Sequence, residues 1–189
     1  RIVSVAEDIE AIYSILDRAR GRIFTYDFSR NLLHVYGGIG QEDGKFRSPN
    51  SIFYIDDKIL VSDYLKNTVT VLKPTEYGTL IRNGYISYIE GDYDENEKIW
   101  RQVLEYNTNF DVAYVGIGKS YLRKLDYREA MNYFKLADER ELYSKAFILW
   151  RNDLIRNYFA HGFWIIFSVL AVFILQKLLK WYSSWIKDK

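Results

Sequence analysis

Apolar and polar positions alternate from Arg1 to Lys73, change to a helical period between positions 79 and 150, and give way to an unbroken apolar run near the end. In the first stretch the runs IYSIL, RIFTYD, NLLHVY, SIFYID, KILVSD and TVTVL each predict a strand of about five residues, and the alternation as a whole accommodates about seven strands. In the second stretch, Tyr114, Ile117, Gly118, Tyr121, Tyr127, Ala130, Phe134 and Ala137 follow a 3.6-residue spacing in two runs, broken around Lys124 to Asp126. That pattern predicts a helical hairpin. The third stretch is FWIIFSVLAVFIL, residues 163 to 175, with one Ser as its only polar residue. Such a run rises about 20 Å, short of the roughly 30 Å hydrocarbon layer of a bilayer. Extended from Tyr158 to Leu179, it becomes long enough for a crossing, with Lys177 able to snorkel. Tyr158 and Trp164 at one end and Trp181, Tyr182 and Trp185 at the other fit aromatic belts. A soluble core helix is rarely apolar on every face and followed by LLKWYSSWIKDK.

The strand region repeats. Asp17, Gly21, Ile23 and Thr25 recur at an offset of 46 as Asp63, Asn67, Val69 and Val71, and the same offset aligns Ile15 with Val61. IFTYDFSRN and ILVSDYLKN also match at an offset of 36, but 46 leaves the glycine-rich stretch YGGIGQEDGKFRSP between equivalent units. A period in the forties with about four strands per unit is the signature of propeller blades, each of which buries a face against its neighbours. The stretch GGIGQEDGKFRSPNSIFYIDDKILVSDYLKNTVTVL resembles an NHL repeat, through Gly37, Gly38, Gly44, Phe46, Pro49, Asp56, Asp63 and Asn67. The resemblance implies the last blade of a propeller, its fourth strand replaced by KPTEYG and supplied from elsewhere in the chain. With too few strands to close a ring and with Arg1 in place of Met, the chain reads as a fragment or processed piece whose other blades lie upstream.

The helical residues from Tyr114 to Ala137 resemble the tetratricopeptide signature. A shift of 34 maps Tyr127 onto Tyr93, Phe134 onto Trp100 and Gly118 onto Gly84, giving an earlier repeat over about 77 to 110 that departs from the family at Asn96, where Ala is expected, and at Thr108, where Pro is usual. Two repeats bury little, so YSKAFILWRNDLIRNYF is expected to cap them. The resemblance places Ile81, Tyr85, Tyr88, Val115, Lys119, Leu122 and Arg123 on the concave face, where a peptide would bind.

Composition removes several chemistries. With 26 Lys plus Arg against 25 Asp plus Glu, the net charge of +1 offers no field for nucleic acid. The absence of Cys removes disulfides and thiolate sites, and His34 and His161 are too few for a His metal centre. The 17 Tyr, 11 Phe and 5 Trp read mainly as packing positions. Gly44–Lys45 fails as a Walker loop, because Phe46 stands where Ser or Thr must hold magnesium and Ile39 where the first Gly belongs. Asp17, Asp56, Asp57 and Asp63 read as turn caps, and EGDYDENEK as a solvated turn and helix start, since it lacks the EF-hand spacing.

The sequence therefore predicts an α+β multidomain chain. Residues 1–76 form the C-terminal blades of an NHL-type β-propeller, 77–150 form tetratricopeptide-like hairpins, 151–180 carry a helix into a single transmembrane span at about 158–179, and 181–189 form an interfacial tail. Proteins of this resemblance are bacterial membrane proteins, some with a Yip1-type C-terminal region and some accompanying sugar ABC transporters. The expectation is a membrane-anchored, non-catalytic scaffold without cofactor or metal, binding a protein or glycan. The alternative is a tethered propeller enzyme, a lyase or lactonase, with its catalytic residues in upstream blades. Lys177, Lys180, Lys187 and Lys189 after the span, against Arg151 and Arg156 before it, favour a cytoplasmic C-terminus, an extracytoplasmic propeller and an upstream signal peptide.

Overall fold

The computed structural model describes residues 1–8 and 12–187, with side-chain surroundings for all of these except 160, 161 and 180–187. The expectations placed on His161, Lys180, Trp181, Tyr182, Trp185, Lys187 and Lys189 lie outside the described residues and side chains. Strands β1 (Ile2–Glu7), β2 (Tyr13–Asp17), β3 (Arg22–Tyr26) and β4 (Leu32–Gly37) form one antiparallel sheet in chain order. A second sheet, again in chain order, contains β5 (Pro49–Ile55), β6 (Lys58–Asp63) and β7 (Thr68–Leu72). Among the described residues neither sheet closes on itself and five helices follow, so the architecture is α+β. The strand IVSVAE completes the expected seven, and β5 begins on Pro49 itself. Pro49 tolerates that place as the first residue of the strand.

The two sheets share a register. β2 pairs with β3 from Tyr13↔Tyr26 to Asp17↔Arg22, and at the offset of 46 β6 pairs with β7 from Ile59↔Leu72 to Asp63↔Thr68. Both Asp residues end their strand and cap the turn after it. Asp17 Oδ1 accepts the amides of Ala19 and Arg20, and Asp63 Oδ1 accepts those of Leu65 and Lys66. Each turn then places one residue at positive φ, Gly21 at 60° and Asn67 at 54°, a region that Gly and Asn enter most readily. The first strands match at 47 rather than 46, with irregular pairing at Ile2/Ser4 and again at Pro49/Ser51.

The sheets pack through opposite faces. From the first sheet Leu16, Ile23 and Tyr36 meet Ile52, Ile59, Val61 and Leu72 of the second, with Phe46 fully buried among them. Ser14 Oγ and Tyr54 Oη join the sheets at 2.7 Å. The first-sheet counterparts of Ile59, Val61 and Leu72 are Tyr13, Ile15 and Tyr26, which lie on the face turned away from this contact. The contact is heterologous, one surface of a unit against a different surface of the next. It leaves Phe53, Val69 and Val71 exposed on one outer face and Val5 and Val35 on the other. The loop from Gly38 to Ser48 connects the sheets without any helix, and Lys66 Nζ latches it by donating to the carbonyls of Gln41, Glu42 and Lys45.

Thr75 then opens α1 (Glu76–Glu90) by accepting the Gly78 amide, so the positions equivalent to β4 at the offset of 46 are helical and the second sheet stops at three strands. Helices α2 (Tyr93–Tyr106), α3 (Asp111–Arg123), α4 (Tyr127–Leu136) and α5 (Arg140–Lys187) follow. Asp92 caps α2 through Glu95 N and Asp126 caps α4 through Glu129 N, the same device at equivalent positions of the two hairpins. The close approaches repeat as well. A Cβ on Gly84 would meet the Trp100 ring at 2.9 Å, and one on Gly118 would meet Phe134 at 2.6 Å. Asn96, the departure from the expected Ala, is fully buried; its amide donates to Gly84 O and to Ser87 Oγ, and its Oδ1 accepts Ser120 Oγ at 2.5 Å. It ties α1, α2 and α3 together.

The boundary expected at 150 falls inside α5, which starts at Arg140 and runs 48 residues through the apolar segment. Both prolines, Pro49 and Pro74, lie elsewhere, so no proline interrupts it. Its first turns pack through Ala146 on Ala130 and Phe134. Further on, the helix is long and apolar enough to cross a membrane, with mean hydropathy 2.1 over its most apolar window and none of that stretch buried.

Candidate functional site

The first sheet and the helices meet at one end, and a groove lies there. Asp8 after β1 pairs with Arg82 of α1 at 2.8 Å, while Ile12 and Leu33 enter the helical core beside Ile81, Trp100 and Val103. This docking brings the β3–β4 turn against α1 and α3. The turn is held by Asp27, buried at 4% exposure, whose carboxylate accepts the Asn31 amide at 2.8 Å and the Asn31 side chain at 2.7 Å. The Phe28 amide donates to Tyr85 Oη at 3.4 Å, and the Phe28 ring stands exposed at the lip.

Between this turn and the two helices is a cavity of about 230 Å³. Val112, Val115, Gly116 and Lys119 line it from α3, a spacing that puts all four on one helical face, and Gly84, Tyr85, Tyr88 and Ile89 line it from α1. Trp100 of α2 forms part of the wall, 3% exposed. Its Nε1–H is buried and has no acceptor among the described residues. A donor left in that condition costs roughly 1–3 kcal/mol. Lys119 Nζ sits 5.8 Å from the centre of the Tyr88 ring, and a hydrogen bond to Tyr88 is the main cause holding the Arg123 guanidinium above its ordinary value. Burial pushes the Tyr85 hydroxyl up, the Phe28 amide opposes this, and the Asp27 charge adds to it.

Of the seven residues expected on the concave face, Tyr85, Tyr88, Val115 and Lys119 line this cavity together, and Arg123 is not among the lining residues. Ile81 and Leu122 do not line this cavity. Ile81 is fully buried in the core under the sheet loops, and Leu122 packs with the cluster of Ala130, Phe134 and Ala146. Trp100, Gly116 and the Asp27–Asn31 turn were missed. The shift of 34 equates Trp100 with Phe134, which marks it as packing and conceals its polar edge, and no local signal joins the turn at 27–31 to helices far along the chain.

The other charged constellation is structural. Glu97 accepts from Tyr121 at 2.8 Å, Arg101 at 2.9 Å and Lys124 at 3.0 Å, and Tyr121 stacks on Tyr133 at 5.5 Å. Burial alone would raise the Glu97 carboxyl, but the bonds from Tyr121, Arg101 and Lys124 outweigh it and hold it low. His34 lies on β4, where burial pushes its imidazole below the ordinary value. Among the described residues no three of His, Cys, Asp and Glu gather as a metal-holding group. A wider cleft of about 640 Å³ between α4 and α5 is lined by charged residues together with Met131, Tyr143, Phe147 and Trp150. Comparison of the chain with protein-family models and with curated proteins finds no match.

Proposed function

We propose that the chain is a membrane-anchored, non-catalytic binding module. It consists of two NHL-type propeller blades and two tetratricopeptide-like hairpins on a helix that spans the bilayer, and it offers the groove between blade and hairpins to a protein or glycan partner. The observation that carries the binding role is the convergence of Tyr85, Tyr88, Val115 and Lys119, from two helices, on one cavity closed by a rigid turn of the first sheet. Aromatic faces beside an ion-pairing group are suited to recognition. The blade reading draws support from the shared register, the paired Asp turns and the heterologous sheet contact. The hairpin reading draws support from the caps and Gly–aromatic contacts that recur at an offset of 34. A transporter or polysaccharide-handling complex is the proposed setting, with the blades and groove outside the cytoplasm and the C-terminus within.

The test is recovery of the chain from native membranes with its bound partner. The wild type, retained in the membrane after an alkaline wash, is expected to bring down a partner that Lys119→Glu loses. Lys98→Glu, a charge reversal at an exposed position of α2 outside the groove, is expected to keep it. Loss of the chain from washed membranes, or equal recovery in all three, counts against the proposal.

A further inference from the structure

The indole of Trp100 carries a feature that packing does not explain. Its N–H is buried without an acceptor among the described residues, and buried donors are nearly always paired. The ring is wedged between Gly84 and Gly116, which line the cavity with it, so that a Cβ on either would collide with it. Tyr85, Tyr88 and Val115 supply mainly apolar walls above it. Lys119, which lines the cavity, has no carboxylate partner among the described residues and stands over the Tyr88 ring face. The facing acid is Asp27, whose two oxygens are engaged by Asn31.

A cavity of about 230 Å³ is smaller than the roughly 300–1,000 Å³ of sites for drug-sized molecules, and matches one side chain with its peptide group. A sugar ring would bring several hydroxyls to walls that offer few polar partners. We propose that this cavity is the anchor subsite for an acidic peptide: one apolar side chain packs against Tyr85, Tyr88 and Val115, the adjoining carbonyl accepts the Trp100 Nε1–H, and Lys119 holds a neighbouring carboxylate. The inference rests on the reading of the groove as a binding surface and specifies what enters it.

The experiment uses the full chain in detergent micelles with ¹⁵N-labelled tryptophan, the Trp100 indole signal being assigned by its loss in Trp100→Phe. The probes are N-acetyl-Leu-Glu-amide, N-acetyl-Leu-Lys-amide and chitobiose. The acidic probe is expected to move the Trp100 indole proton downfield in a saturable manner. Lys119→Glu is expected to weaken the acidic probe by about tenfold or more and to shift preference to the basic one. An unmoved Trp100 signal, an unchanged preference in Lys119→Glu, or a response to chitobiose in place of the acidic peptide would overturn the subsite. If the membrane partner still depends on Lys119 while Trp100 stays silent, only the subsite fails. If Trp100 responds as expected and no partner depends on Lys119, the wider reading fails and the subsite stands.

Discussion

Asp63 shows how much one carboxylate can organise. Its two oxygens accept the amides of Arg47, Ser48, Leu65 and Lys66, joining the inter-sheet loop to the β6–β7 turn. Replacement by Ala would leave these amides without their acceptor and is expected to cost on the order of 3 kcal/mol in urea unfolding. Burial pushes the Asp63 carboxyl up, but those amides outweigh it and hold it below the ordinary value of 3.8. A depressed folded value means that the unfolded chain binds the proton more readily. The stabilisation is therefore complete above the unfolded value and is lost as pH falls through the folded one. An acid titration of stability should show wild type losing, below about pH 4, part of an advantage over Asp63→Asn that is constant at neutral pH. Asn96 makes the complementary case. Asn96→Ala would restore the residue expected of the repeat, yet it should destabilise by on the order of 3 kcal/mol, because it vacates a buried site and removes the bonds to Gly84 O, Ser87 and Ser120. The sequence marked the position as unusual but could not reveal the three partners, which come from two other helices.

At the scale of elements, periodicity carried most of the fold. KILVSD and TVTVL are strands over the very residues that alternate, and the helical break at Lys124 to Asp126 separates α3 from α4. The offset of 46 was legible because turn chemistry repeats with it: Asp at the strand end, then Gly or Asn at positive φ one turn later. The slip of one position on the first strands was not legible, since it arises from irregular pairing and leaves no mark on composition. The continuity of α5 into the apolar run was expected from residue 151, and the backbone has no residue that stops it there. The offset of 34 was legible through small residues facing large ones. Gly118→Ala would place a methyl group 2.6 Å from the Phe134 ring, and overpacking at this crossing should cost about 1–3 kcal/mol in thermal or urea unfolding. The exposed Gly162, with nothing near its Cβ position, provides a control expected to show no loss on the same substitution.

For the whole molecule, the arrangement links a helix long and apolar enough to cross a membrane to a groove without a joint. α5 packs through Ala146 on the last hairpin and continues into the apolar stretch, so the groove is carried on a continuous helical support. The four residues that line the cavity from α1 and α3 were named by the resemblance, but the cavity's third wall depends on how the first sheet docks on α1. That docking is made by Asp8, Ile12, Phe28 and Leu33, dispersed over the strand region and silent in any local pattern. The central claim is that this groove, on a membrane-held chain, is where a partner binds. The most direct measurement places a photo-crosslinking amino acid at Val115 in native membranes, with exposed Glu105 of α2, outside the groove, as the control position. The account predicts one discrete adduct from position 115 that disappears in Lys119→Glu and is absent from position 105. No adduct from 115, or the same adducts from both positions, would contradict it.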